Sequence, residues 1–381
     1  MLDSDMTRAR DDDACPGALQ LHQAADGALA RIRLPGGIIT AAQLEALAAA
    51  AEAFGSPAME LTSRGNVQLR AITDTAGLAD TVASAGLLPS ATHERVRNIV
   101  ASPLTGRRGG LGDVRPMVHE LDAAIQAAPA LAELPGRFWF SLDDGSADVS
   151  GLGADVGAQL LESGDAALLV AGVDTGVRLA APDVVPALIA VALNFLGARG
   201  TSWRTTELDD IGSVLTGLTP TATPGTYWPP VTRPPVGWIA QDDGRVALGA
   251  AVPLGVLQAR VAQYLAAIDA PIVVTPWRSV LVCDLDDGVA DAALHVLPPL
   301  GLVFDEHSPW LDVSACTGSP GCTHSAADVR QDAAEAARER VGVHRHFVGC
   351  DRACGSPPTG DVLVATDQGY RKRPPAAPTV G

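Results

Sequence analysis

Apolar and polar positions near the start of the chain alternate in a way that predicts a strand, a helix and a second strand. Residues 28–34 alternate as a half-buried strand does, and a turn follows at 35–37. Thr40 is a suitable N-cap for the next helix. The predicted elements are a strand over 28–34, a helix over 41–54, a strand over 59–62 and 66–70 with a kink between, and a helix over 78–85.

The same order of elements returns about 210 residues later. A strand and turn are predicted over 244–254, a helix over 255–267, and a strand interrupted at 276–278 over 271–282. In this alignment Thr62 matches Thr275 and Val67 matches Val280. Such a distant repeat predicts two pseudo-symmetric halves rather than a solenoid, and chance similarity of a short alignment is the alternative.

The remaining pattern predicts mixed α and β structure joined by a linker. Residues 219–237 are dense in Pro and Thr, which is typical of an ordered or semi-rigid connection. The other predicted elements are strands near 138–142 and 166–170 and helices over 184–196 and 325–338. The sequence therefore predicts an α+β fold.

Composition narrows the class of protein. A chain of 381 residues is long enough for two or three domains, and its net charge of −17 argues against a nucleic-acid partner. The most apolar run, 184–196, contains Pro186 and Asn194, so we expect no membrane span. The Asp-rich start over 1–13 has no apolar core and is not a signal peptide. We therefore expect a cytoplasmic protein.

Four cysteines near the C-terminal end carry the most specific signal. Cys316 and Cys322 form one pair and Cys350 and Cys354 another, each in a loop rich in Gly or Pro. Two close pairs of thiolates predict a four-cysteine metal site that holds either an iron–sulfur cluster or zinc. A disulfide is the alternative, and a reducing cytoplasm disfavours it. Paired zinc ligands usually have two residues between them, so gaps of five and three residues favour a cluster.

Arginines concentrate in the first half of this acidic chain. Within residues 95–115 five arginines face the single acid Asp113. Such a local concentration indicates an anionic ligand, since guanidinium groups bind carboxylates in a bidentate way; a solvated basic face is the alternative. The arginines concerned are Arg95, Arg97, Arg107, Arg108 and Arg115, with Arg64, Arg70 and Arg137 elsewhere in the first half.

These motifs resemble those of the sulfite/nitrite reductase superfamily. The resemblance rests on Cys-x5-Cys followed by Cys-x3-Cys, on residues 62–70 (Thr-Ser-Arg-Gly-Asn-Val-Gln-Leu-Arg) and on 97–103 (Arg-Asn-Ile-Val-Ala-Ser-Pro). Within the superfamily the chain is most similar to the precorrin-3B synthase family of aerobic cobalamin biosynthesis. The resemblance implies a [4Fe-4S] cluster held by Cys316, Cys322, Cys350 and Cys354, beside a tetrapyrrole.

The resemblance also implies a domain order. It predicts two halves, each with a ferredoxin-like unit and a reductase-type α+β domain. The expected segments are a disordered tail (1–20), ferredoxin-like half-domain 1 (21–88), reductase-type domain 1 (89–200), a Pro-rich linker (201–237), ferredoxin-like half-domain 2 (238–304), the cluster-binding domain (305–370) and a second disordered tail (371–381).

The implied activity is an oxygen-dependent hydroxylation of precorrin-3A at C20, with a γ-lactone formed from the ring A acetate. The implied partners are dioxygen and an external electron donor, either an NADH-linked reductase or ferredoxin. The cluster would transfer electrons. The residues expected to bind the anionic tetrapyrrole are Arg64, Asn66, Gln68, Arg70, Arg97, Arg107, Arg108 and Arg137.

The family is also associated with a mononuclear non-haem iron, which typically takes two His and a carboxylate. The candidates are His307 beside Asp305 and Glu306, His119 beside Glu120, and the pair His344 and His346. None has a spacing that decides the question. For each, a surface or hydrogen-bonding role is the alternative.

Two other functions remain open at this level. A sirohaem-dependent sulfite or nitrite reductase would hold sirohaem where a synthase binds its substrate. Against it, Trp139 stands where the reductases place a lysine, although Arg137 can replace another. A non-catalytic zinc or cluster module is the third possibility, but such a module needs neither the repeat nor the arginines.

Overall fold

The computed structural model describes residue 13 and residues 15–374. Within them the chain forms four β-sheets and seven α-helices. Two sheets belong to the ferredoxin-like units and two to the reductase-type domains. The α+β class agrees with the sequence prediction.

The first ferredoxin-like unit begins at His22 and uses local signals visible in the sequence. Thr40 accepts a hydrogen bond from the Gln43 amide, and the Gln43 side chain accepts one from the Thr40 amide. Asp74 caps the second helix, which starts three residues before the predicted position. The elements are β1 His22–Ala24, β2 Gly27–Ile32, β3 Ile38–Ile39, α1 Ala41–Phe54, β4 Ala58–Leu61, β5 Val67–Ile72 and α2 Thr75–Ser84.

The first reductase-type domain has a five-stranded sheet in the order β10-β9-β8-β7-β6. The strands β6, β7 and β8 run parallel, and β9 and β10 add an antiparallel hairpin. Phe138 packs between Phe140 and Phe195 in its core. The elements are β6 Ile99–Ala101, α3 Arg115–Ala127, β7 Phe140–Asp143, β8 Val156–Leu160, β9 Ala166–Val170, β10 Val173–Leu179 and α4 Val184–Ala198.

Helix α4 corrects one sequence expectation. The segment Ala181–Ala198 is long and apolar enough to cross a membrane, whereas the sequence interpretation found no such run. In the fold one face of α4 is buried in the domain core, with Leu188, Val191 and Phe195 fully covered. The apolar side chains on this face of α4 therefore pack in the core of the domain.

The second ferredoxin-like unit repeats the first. Its elements are β11 Gly237–Ala240, β12 Val246–Ala251, β13 Val256–Gln258, α5 Ala259–Ala266, β14 Ile272–Val274, β15 Ser279–Leu285 and α6 Asp287–Val296. Thr62 and Thr275 make the same contacts: each amide bonds the carbonyl four residues ahead, and each hydroxyl accepts the amide two residues ahead. The predicted repeat and its register are confirmed.

The two ferredoxin-like units exchange strands. The short strand β13 of the second unit pairs with β4 of the first, and β3 of the first pairs with β14 of the second. Helices α1 and α5 pack together, and buried residues of both units form one continuous core. The segments 21–88 and 238–304 are therefore two halves of one structural unit.

The last domain has a four-stranded sheet in the order β16-β17-β18-β19. Three parallel strands are followed by an antiparallel one, as in the first reductase-type domain. Its elements are β16 Val313–Ala315, α7 Val329–Ala336, β17 Arg345–Val348, β18 Asp361–Thr366 and β19 Gly369–Lys372. The pseudo-symmetry therefore extends to this pair of domains.

Parts of the predicted tails and linker are wrong. Residues 15–20 are packed against Glu94, whose carboxylate accepts hydrogen bonds from the amides of Ala18, Leu19 and Gln20. Arg371 and Lys372 belong to β19. Residues 205–215 form two short 3-10 helices, and the second packs on α4, so they extend the first domain. Residues 1–12, 14 and 375–381 of the predicted tails lie outside the described residues.

Candidate functional site

The two cysteine loops leave neighbouring parallel strands at the same edge of the last sheet. Cys316 follows β16, and Cys350 follows β17 by two residues. The Cys316 amide bonds the Phe347 carbonyl, and the Gly349 amide lies 3.4 Å from the Cys316 sulfur. Because carboxyl ends of parallel strands meet at one edge, the fold brings together two pairs that are 28 residues apart or more in sequence.

All four cysteines are free thiols, and they lie close enough to influence one another. Burial raises the pKa of Cys354, and Cys316, Cys350 and Cys322 raise it further. Neighbouring thiolates repel one another, so the deprotonated state of these four cysteines is favoured only when a cation or metal centre is bound there. Arg352 is near enough to oppose the effect on Cys354, as the sequence position suggested.

All four candidate ligands are thiols, which is the ligand type that iron–sulfur clusters take. In the described part of the chain no three His, Cys, Asp or Glu side chains converge closely enough to hold one metal ion. The thiols would come from Cys316, Cys322, Cys350 and Cys354.

Arg70 ties the first cysteine loop to the first ferredoxin-like unit. It projects from β5 and makes a bidentate pair with Asp26, each bond 2.8 Å long. Its Nη2 also donates to the Gly321 carbonyl at 2.8 Å, and its Nη1 lies 3.5 Å from the Thr317 hydroxyl. Arg70 was expected to bind the tetrapyrrole; the structure instead commits it to this interface.

A cavity of about 310 Å³ lies beside the second cysteine loop. The ferredoxin-like units reach it through equivalent turns, with Arg64 on one and Trp277 and Arg278 on the other. The remaining walls come from the first reductase-type domain, the linker and the last domain. They include Trp139, Leu152, Arg204, Val231, Thr232, Pro234, Trp310, Ser314, His344 and residues 355–358.

Arg64 is a cation in this cavity without a carboxylate partner among the described residues. Its guanidinium carbon lies 5.9 Å from the centre of the Trp139 ring. Burial, and then the neighbouring Arg204, lower the pKa of Arg64 to about 9. Asp155 is near, but its carboxylate is bound by Arg204 and by the Thr205 amide. An anion in the cavity would relieve this unfavourable burial.

Comparisons with known proteins agree with this architecture. Residues 22–76 match the nitrite/sulfite reductase ferredoxin-like half domain. The first ferredoxin-like unit is therefore similar to a half domain of the nitrite/sulfite reductases. It is 28% identical to a precorrin-3B synthase from Sinorhizobium sp., over 94% of this chain and 81% of that protein. It is 27% identical to the chloroplastic ferredoxin–nitrite reductase of Zea mays, over 87% of this chain and 68% of that one.

A solved structure extends the likeness to the fold. The NirA protein of Mycobacterium tuberculosis superimposes with a TM-score of 0.76, over 91% of this chain and 73% of that one. Sequence identity in this comparison is 20%, so the match concerns the fold of the superfamily alone.

Several residues expected to bind the tetrapyrrole are held in structural contacts instead. Arg97 makes a buried bidentate pair with Asp122 and Arg107 makes one with Asp284. Asn66 is 1% exposed and bonds the Leu34 amide and Asn98. These contacts use the groups that would bind a ligand, so we remove Arg97, Arg107 and Asn66 from the proposed site.

The other predicted binding residues lie outside the cavity lining as well. Gln68 bridges Arg31 and Glu60, and Arg137 stacks on the Trp203 ring at 5.0 Å. Arg108 is exposed. Of the eight residues, Arg64 alone lines the cavity. Sequence analysis could identify arginine-rich segments but could not tell which arginines have carboxylate partners.

The histidines proposed as iron ligands are not assembled into one site. His119 is exposed on α3, and His307 is exposed beside Glu306, with 3.8 Å between its Nε2 and the carboxylate. His344 and His346 have both ring nitrogens engaged in hydrogen bonds. The described residues therefore do not fit a two-histidine, one-carboxylate iron site.

These last two histidines form a chain from the cavity to the second cysteine loop. Ser314 Oγ lies 2.7 Å from His344 Nε2 and 2.7 Å from His346 Nδ1. The chain ends at the carbonyls of Leu311 and Cys354. Burial lowers the pKa of both histidines, of His346 to about 3, so both are neutral. The Ser314 hydroxyl hydrogen then serves one imidazole at a time.

Proposed function

We propose that this protein is a precorrin-3B synthase. It would bind precorrin-3A in the cavity, hydroxylate C20 with one atom of dioxygen and form a γ-lactone from the ring A acetate. The observation that carries the proposal is a half-buried Arg64, without a carboxylate partner among the described residues, in a cavity beside the four-cysteine domain. The 28% identity to a precorrin-3B synthase over nearly the whole chain supports it.

The proposed cofactor is a [4Fe-4S] cluster held by Cys316, Cys322, Cys350 and Cys354. When bound, it would pass single electrons from an external donor, such as an NADH-linked reductase or ferredoxin. Incorporating one oxygen atom and releasing the other as water requires two electrons and two protons. The protein's free thiols agree with a reducing cytoplasm as its location.

The chain's own residues divide the remaining tasks. Arg64 would bind a peripheral carboxylate and orient the macrocycle, and the faces of Trp139 and Trp277 would cover its apolar ring system. His344 faces the cavity and is connected through Ser314 to His346. This hydrogen-bonded chain offers a path for protons between the cavity and the interior of the last domain.

The test begins with anaerobically purified protein. Iron and acid-labile sulfide are quantified, any tetrapyrrole is extracted, and precorrin-3A is then supplied with ¹⁸O₂ and a reductant. We expect a broad cluster absorbance, no co-purified sirohaem, and one labelled oxygen atom in a lactone product. Absence of oxygen incorporation in protein that contains a cluster and binds precorrin-3A would contradict the proposal.

A sirohaem-dependent sulfite or nitrite reductase is the second candidate. The identity to a nitrite reductase over 87% of the chain favours it. Extraction of stoichiometric sirohaem, together with anaerobic reduction of nitrite or sulfite, would support it. In that case Arg64 would contact a permanent cofactor rather than a substrate.

A further inference from the structure

Arg278 occupies an unusual backbone position in the wall of the cavity. Its φ angle is +56°, in the left-handed region that favours glycine. The equivalent residue of the first ferredoxin-like unit is Gly65, which has a φ of +67°. The second unit therefore has a long cationic side chain at the position where the first unit has glycine. The backbone conformation alone does not explain why arginine occupies this position.

The contacts of Arg278 leave its charge without a dedicated partner. Its Nη2 donates to the Gly355 carbonyl at 3.1 Å, next to Cys354. Glu60 attracts it, but that carboxylate is bound by Arg330 and by Gln68. Among the described residues no carboxylate lies within ion-pair distance of Arg278. Burial accordingly lowers its pKa.

The half-buried Arg278 differs from the buried arginines in its lack of a carboxylate partner among the described residues. Arg70, Arg97 and Arg107 each have a bidentate carboxylate partner. The arginines that line the cavity without one are Arg64 and Arg278, on equivalent turns of the two units. The left-handed backbone of Arg278 and the partial desolvation of both guanidinium groups cost stability. An anion bound in the cavity would offset the cost of desolvation.

We propose that Arg278 is a second carboxylate-binding residue of the substrate cavity, on the side nearest the Cys354 loop. This inference rests on the proposed function. A macrocycle with carboxylates around its edge can engage Arg64 and Arg278 together, so the pair fixes which edge lies beside the second cysteine loop. Arg278 is thereby a specificity-determining residue, and the proline–tryptophan–arginine interruption of the second repeat has a chemical purpose.

The test uses uroporphyrin III, a stable tetrapyrrole with eight carboxylates, titrated into the purified full-length protein. Binding is followed by quenching of tryptophan fluorescence, and thermal stability is measured on the same samples. The variants are Arg278→Gly, Arg278→Gln, Arg278→Lys and Arg64→Ala, and the control is Arg338→Ala at an exposed position.

A binding role and a structural role predict opposite results. For Arg278→Gly we expect binding weakened about tenfold or more, with unchanged or raised thermal stability, because glycine relieves the left-handed strain. Arg278→Gln should weaken binding similarly while keeping a side chain in place, and Arg278→Lys should restore part of it. A purely structural residue would instead lose stability with binding unchanged, which would overturn the inference.

The remaining outcomes separate this inference from the proposed function. If Arg64→Ala weakens binding and the Gly and Gln variants of Arg278 do not, Arg278 is not a ligand contact and the cavity assignment stands. If the unmodified protein does not bind uroporphyrin III, both proposals fail. Equal weakening by Arg338→Ala would show that binding follows net charge alone, and that also overturns the inference.

Discussion

The two reductase-type domains present equivalent loops to the opposite ferredoxin-like unit, but with different chemistry. After β16, the loop of Cys316 is held by Arg70, which comes from the sheet of the first unit. After β6, the loop itself supplies Arg107, which pairs with Asp284 of the second unit. Cys283 stands at the position equivalent to Arg70 and is fully buried. The two interfaces have equivalent backbone arrangements but different sources of the cation. The arginine belongs to the ferredoxin-like unit in one interface and to the reductase-type domain in the other.

The next pair of loops differs in the same manner. After β7, Asp143 accepts hydrogen bonds from the amides of Gly145, Ala147, Val149 and Ser150, so the loop is closed by its own carboxylate. After β17, the corresponding loop carries Cys350 and Cys354, which interact electrostatically with the first cysteine pair. The loop after β7 is therefore closed by its own carboxylate, whereas the loop after β17 carries two of the cysteines proposed to bind an inorganic group.

The largest expected effect concerns the cysteines. Cys316→Ser and Cys350→Ser should each reduce bound iron and sulfide to below about a tenth of the normal content, since a cluster needs all four thiolates. Cys15→Ser is the control, because Cys15 contacts Gly136 and Arg31 in the other half. Full iron and sulfide content in both cluster-loop variants would remove these residues from the proposed centre.

The two buried ion pairs provide the next comparison. Arg70→Met should lower the free energy of unfolding by about 2 kcal/mol, because its bonds to Asp26 and to the Gly321 carbonyl are lost. Arg97→Met should cost about as much by stranding Asp122. Urea unfolding measures both. Only Arg70→Met should also alter the electron paramagnetic resonance spectrum of the reduced cluster, since only Arg70 holds the Gly321 carbonyl. Identical spectra would show that this contact does not reach the centre.

The equivalent turns of the ferredoxin-like units can be compared by binding. Arg64→Ala should weaken uroporphyrin III binding about 30-fold, or roughly 2 kcal/mol, through loss of a charge-assisted contact. Trp277→Ala, at the matching position, should weaken it about fivefold through loss of apolar contact. Fluorescence of the porphyrin itself measures both. A larger effect at Trp277 than at Arg64 would contradict a carboxylate-led mode of binding.

The smallest expected effect is a pH dependence in the loop after β7. Burial, and then Asp143, raise the pKa of Asp148 to about 7. The Asp148 carboxyl ionises near pH 4 in the unfolded chain but keeps its proton to about pH 7 in the folded protein. The contribution of Asp148 to the free energy of unfolding is therefore fully present below about pH 4 and is lost as the pH rises to about 7. Asp148→Asn can still accept from Ser102 and should gain roughly 1–2 kcal/mol at about pH 8 but little at about pH 4. Asp209→Asn, at an exposed carboxylate, is the control.

Much of the fold follows from local features of the chain. The Thr40 cap, the alternation of residues 28–34 and the paired threonines define elements and a repeat before any tertiary contact is considered. The cysteine spacing likewise identifies the proposed ligands, because the two pairs are local. These signals are short-range, which is why they can be recognised in a single sequence.

The arginines could not be assigned in the same way. Arg97 is buried and Arg278 is half-buried. Arg97 pairs with Asp122, which lies 25 residues further along on a helix, whereas Arg278 bonds only a carbonyl. Whether a cation is neutralised depends on which carboxylate the fold brings to it. The sequence therefore singled out arginines that the fold pairs with carboxylates, and it did not single out Arg278.

The sequence by itself determined the two-half architecture, the starts of α1 and α4 and the spacing of the four cysteines, because each depends on neighbouring residues. Tertiary structure alone decided the exchange of β3 and β13, the shared core and the meeting of Arg64 with Trp277 and Arg278 around one cavity. Those contacts join residues about 200 positions apart or more, and their energies depend on burial and on charge partners that exist only after the two halves have packed together.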